Sequence, residues 1–126
     1  MNTKLIQWIL RISVAGEFIG HGFLALGGKA DWIKWISMRI GTSLETSATL
    51  LWWIGGFDLV VALVVLVRPI PVILLWATFW GFWTALVRPL VGLGWLDFVE
   101  RSANWGAPLA LLLLIGWPKT LKEWFR

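Results

Sequence analysis

The sequence predicts an all-helical, membrane-embedded fold, and three observations carry that expectation. Of 126 residues, 59% are hydrophobic and mean hydropathy is +0.78, above what soluble domains show. The apolar residues fall into four runs, about 5–26, 46–67, 70–88 and 97–117. Each is close to the length a helix needs to cross ~30 Å of hydrocarbon at ~1.5 Å per residue. The breaks between runs carry helix-ending residues: Gly27-Gly28, Arg68-Pro69-Ile70-Pro71 and Arg88-Pro89. The expected architecture is one domain, residues 1–126, folded as an integral membrane four-helix bundle. A short interfacial amphipathic helix is expected between spans one and two.

Span one reads LIQWILRISVAGEFIGHGFLAL. It is too long, and too interrupted by Arg11 and Glu17, to be a cleavable leader. Lys29 to Glu45 is too polar to span. Within it Trp32, Ile33, Trp35, Ile36 and Ile40 alternate with Lys34 and Arg39 at helical spacing, the pattern of a helix lying in an interface. Span two carries Asp58 near its middle. In span three, Trp76, Trp80 and Trp83 share one face at i, i+4, i+7, readable as packing between helices or as a ligand wall. Span four must begin near Asp97 to be long enough, and Asp97-Phe98-Val99-Glu100 resembles a capping box. Pro108 then lies inside it. The expectation is one kinked helix with a freed Asn104 carbonyl, and a polar pocket beside the bend lined by Glu100, Asn104 and Trp105.

Composition also excludes functions. With no cysteine, the chain holds no dithiol relay, iron–sulfur site or thiolate-bound haem. The net charge of +4 sits on residues at segment ends, so it reads as topogenic rather than nucleic-acid binding. Leaving out Arg11 within span one, lysines and arginines are equally divided between the two sides. The cluster Lys119, Lys122 and Arg126 tips the expectation toward both termini cytoplasmic. Most of the twelve tryptophans lie near segment ends, as interfacial belts do.

Ionisable groups inside apolar runs are costly, so they are the functional candidates. Glu17 and His21 are four residues apart on one helix face, within reach of each other. Gly16 and Gly20 beside them form a small-xxx-small ridge that predicts close approach of another helix. Three roles are open for the pair: a hydrogen-bonded fastening between helices, a head-group anchor or proton relay, and an axial ligand. For the last, Gly20 and Gly22 leave room for a tetrapyrrole on His21. Arg11 either snorkels to the near surface or pairs with Asp58 or another acid inside the bundle, and Asp58 is expected to pair with an arginine.

Arg11 followed by His21-Gly22, with Gly55-Gly56-Phe57-Asp58 in span two and a proline-bearing last helix, resembles the pattern of DoxX-like membrane proteins. Two positions depart from it: Lys29 lies further from the His-Gly pair than usual, and Asp58 stands where glutamate is common. The resemblance implies a small four-span protein associated with bacterial membrane oxidoreductase systems, including a quinone-reducing one. The expected function is therefore a non-catalytic accessory subunit of an electron-transfer assembly in the bacterial inner membrane. It would contact quinone or lipid between spans one, two and four through Glu17, His21 and Asp58, with other membrane subunits or further copies of itself as partners. Two other classes stay open: a pigment- or haem-binding protein using His21, and a stand-alone oxidoreductase or transporter of a small hydrophobic substrate.

Overall fold

The structure, a computed structural model, describes residues 1–126 and is helical throughout, with no strand. Six α-helices follow one another: α1 (Thr3–Leu26), α2 (Ala30–Ile40), α3 (Leu44–Val67), α4 (Pro71–Leu90), α5 (Trp95–Val99) and α6 (Ser102–Ile115). A single 3-10 turn, Lys122–Phe125, closes the chain. Three of them, α1, α3 and α4, are long and apolar enough to cross a membrane.

Local chemistry sets most boundaries. Asn2 caps α1 by accepting from the Leu5 amide at 3.1 Å. Ser43 caps α3 by accepting from the Thr46 amide. Gly41 ends α2 in the left-handed region, φ 71°, with its amide on the Ser37 carbonyl, a conformation open to glycine at little cost. Pro71 starts α4 in the first turn, where its missing donor is not needed.

α2 is the expected amphipathic helix: Trp32, Ile33, Trp35 and Ile36 are half-buried, while Asp31, Lys34 and Arg39 are exposed. α4 runs past Arg88-Pro89 to Leu90, so that pair does not end it. The fourth apolar run is not one kinked helix from Asp97. Glu100 and Arg101 interrupt it, Asp97 lies inside α5 instead of capping a long helix, and α6 ends at Ile115. Aromatic packing explains the break. Phe98 of α5 and Trp105 of α6 both set their rings against Phe82 of α4, at 5.5 and 6.0 Å between centroids. At 14 residues, α6 is about 21 Å long.

Two close helix pairs form the body. α1 packs on α3, and α4 on α6; α1 also leans on α6, whereas α3 and α4 touch little. Glycines set both close approaches. A Cβ at Gly55 would lie 2.8 Å from the Gly22 carbonyl oxygen and 2.9 Å from the Leu26 amide. A Cβ at Gly81 would collide with the Asn104 carbonyl, the group Pro108 leaves without its usual helical donor. Gly16 and Gly20 are exposed with nothing within 4 Å, so the expected ridge is not where helices meet inside the chain. The core joins Val14, Ala15 and Phe18 of α1, Val61, Ala62 and Val65 of α3, Leu74 and Ala77 of α4, and Leu111 and Leu112 of α6. The outside is apolar as well: Ile12, Phe23, Trp53, Val60, Leu63, Phe79 and Leu113 are all exposed.

Candidate functional site

Because α3 and α4 diverge, a space opens between them on the side where α2 crosses. It is a pocket of about 270 Å³ among α1, α2, α3 and α4. Trp32, Trp35, Trp80 and Trp83 wall it, with Leu51 and Ile54 from α3. Its polar groups are His21, Asp58, Thr84, Arg39 and Arg88.

Each polar group is held differently. Asp58 is 3% exposed and its Oδ1 has no hydrogen-bond partner. The expected arginine partner is not there, since both ion pairs in the molecule belong to Arg101. A buried polar atom left unpaired costs ~1–3 kcal/mol, and such sites concentrate where a function needs them. His21 is half-buried, its ring edge-on to Trp32 at 5.5 Å. The Trp32 indole N–H is buried and also lacks an acceptor. Arg88 is 6% exposed; its Nη1 donates to the Thr84 carbonyl at 2.6 Å, and its guanidinium faces the Trp35 ring at 5.3 Å.

The residues predicted from sequence divide into three places. His21 and Asp58 meet at the pocket, and Glu17 is half-buried nearby, within electrostatic reach of Asp58. Glu17 and His21 form no hydrogen bond or ion pair with each other. Arg11 sits elsewhere. It is buried, neither snorkelling to the surface nor paired with Asp58: Nε donates to the Val65 carbonyl at 3.1 Å, Nη2 donates to Leu66, and the guanidinium stacks on Trp8 at 3.8 Å. It thereby satisfies carbonyls that the end of α3 leaves free.

Glu100, Asn104 and Trp105 form the third group, and no polar pocket joins them. Glu100 is exposed and accepts from Arg101 at 2.7 Å, the Asn104 carbonyl faces Gly81, and Trp105 packs on Phe82. The pocket therefore lies among α1, α2, α3 and α4, not among the first, second and fourth apolar runs. Of the two glycines flanking His21, Gly22 packs against Leu59 and the Gly55 carbonyl, whereas Gly20 faces open space. Sequence reasoning missed Arg88, Trp32, Trp35 and Thr84 as site residues. Arg88-Pro89 reads as a helix end, and only the contact of α4 with α2 shows otherwise.

Fold and site define an all-helical chain with an apolar outer surface and one tryptophan-walled pocket beneath an amphipathic helix. No protein-family model, curated protein or solved structure matches it.

Proposed function

We propose that the chain is a four-span membrane protein, with α5 and α6 together completing the fourth crossing, and that it holds a lipophilic molecule in the α1–α4 pocket. The observation that carries the reading is the buried Asp58 carboxyl, its Oδ1 unpartnered, in the lining of an apolar, tryptophan-walled space. Ligand sites have this form: mostly apolar walls with a few convergent polar groups. Three helices of spanning length and an apolar exterior support insertion, because an aqueous surface of that kind would associate. The DoxX-like pattern adds the setting: an accessory subunit of an electron-transfer assembly in the bacterial inner membrane, with quinone or lipid as the bound molecule.

The test is native purification in a mild non-ionic detergent, followed by mass spectrometry of co-purifying proteins and extracted lipophiles. Stoichiometric partners and a retained lipophile that is lost from Asp58→Asn are expected. A monodisperse chain without partner or ligand overturns the reading. A haem or pigment role needs a Soret or chlorin absorption band.

A further inference from the structure

Arg88 is a buried cation that forms no ion pair. A guanidinium does not discharge in proteins, so it must be paired, solvated or hydrogen-bonded. Of its five donors, one bond is made, to the Thr84 carbonyl. The nearby acids are engaged by another residue: Arg101 holds Glu100 at 2.7 Å and Asp97 at 3.8 Å. Asp58 lines the same pocket but forms no ion pair with Arg88, and their helix positions put them at opposite ends of the space. Asp58 lies fourteen residues from the start of α3, about 21 Å along it, whereas Arg88 lies in the last turn of α4. Arg39, exposed on α2, stands at the same mouth as Arg88. The pocket therefore has a cationic mouth, an aromatic body and a carboxyl floor.

From this we infer that the pocket takes an anionic amphiphile, its carboxylate or phosphate head on Arg88 and Arg39 and its apolar body along Trp80, Trp83 and Ile54. Trp35 backs the guanidinium and leaves its remaining donors for the head group, a geometry in which arginine binds carboxylate and phosphate bidentately. The inference rests on the reading of this pocket as a lipophile site and narrows it, placing a charged lipid there ahead of a neutral quinone.

Four probes test it against the full chain in maltoside micelles, read by tryptophan fluorescence: dodecyl phosphate, laurate, a decyl-substituted benzoquinone, and inorganic phosphate. The two anionic amphiphiles are expected to bind at least tenfold more tightly than the neutral quinone. Arg88→Gln is expected to erase that preference, read as the ratio of anionic-probe to quinone affinity within the same variant. Arg39→Gln, at an exposed position, is expected to weaken the anionic probes several-fold, and serves if Arg88→Gln does not fold. Equal binding of neutral and anionic amphiphiles, unchanged in both variants, overturns the inference and leaves the lipophile pocket standing. Inorganic phosphate binding as tightly as dodecyl phosphate also overturns it, since the site would then hold free anions. Failure of every probe removes the lipophile pocket, and the inference with it.

Discussion

Substituting Gly55 tests how α1 and α3 are joined. A Cβ there would sit 2.8 Å from the Gly22 carbonyl oxygen, 2.9 Å from the Leu26 amide nitrogen and 3.0 Å from the Ala25 methyl. The first two neighbours are backbone and cannot rotate aside. Reaching an ordinary separation of roughly 3.4 Å requires the helices to part by about half an ångström, a strain of the kind that costs ~1–3 kcal/mol. Alanine recovers about 1 kcal/mol of helix propensity, so Gly55→Ala is expected to destabilise by about 1 kcal/mol. Gly55→Val adds two more carbon atoms and recovers less propensity, so a loss of about 3 kcal/mol is expected. Gly16→Ala and Gly20→Ala meet no atom within 4 Å and should instead gain up to about 1 kcal/mol. The assay is unfolding in maltoside–dodecyl sulfate micelles followed by far-ultraviolet circular dichroism. Equal stability of Gly55→Val and the parent chain, or a loss at Gly16 and Gly20 matching that at Gly55, refutes the reasoning.

Arg11→Leu removes the donors to the Val65 and Leu66 carbonyls and is expected to cost ~2 kcal/mol or more. Hydrogen exchange should show faster opening confined to the end of α3, and unchanged protection there would contradict this cap. Asp58→Leu replaces an unpaired buried acceptor by an apolar side chain of similar size. It should raise stability by ~1–3 kcal/mol while lowering lipophile retention; a less stable protein would mean that Asp58 serves the fold. Ser43→Ala deletes the α3 cap and should cost ~1 kcal/mol, measured by the same micellar unfolding.

The helices were largely legible because each has a local cause. Hydropathy marked α1, α3 and α4, and the tryptophan–charge alternation marked α2. What distance along the chain could not supply was which faces meet. Gly16 and Gly20 carry the spacing of a contact ridge, but Gly22 and Gly55 make the contact, because the helix pairing turns α1 so that Val14, Phe18 and Ala25 face inward. Glu17 and His21 consequently lie at the border of the buried face, each half-exposed. The fourth run misled for a similar reason. A capping pattern at Asp97 and a proline at 108 are local signals, whereas the break at Glu100–Arg101 comes from the aromatic grip of Phe82 on Phe98 and Trp105. His21 and Asp58 could be found as site residues because ionisable groups stand out in apolar runs. Arg88 could not, because an arginine before a proline resembles any charged helix end.

Arg11 and Arg88, both buried, are used differently at the two ends of the molecule. Every helix leaves its last carbonyls without intrahelical donors. At the end of α3 the chain turns through Pro69, which offers no amide, and Arg11 of α1 supplies the missing donors to Val65 and Leu66. Its guanidinium is consumed in joining α1 to α3. At the end of α4 the backbone satisfies itself: the Val91 amide bonds the Val87 carbonyl, Gly92 bonds Pro89, and Leu93 bonds Arg88. Gly92 and Gly94, with φ of 94° and 97°, allow that tight closure. Arg88 is therefore released from capping, buried against Trp35, with donors to spare. The Asp58 oxygen and the Trp32 N–H, two of the four buried side-chain polar atoms without a partner, both belong to residues lining the pocket among α1–α4.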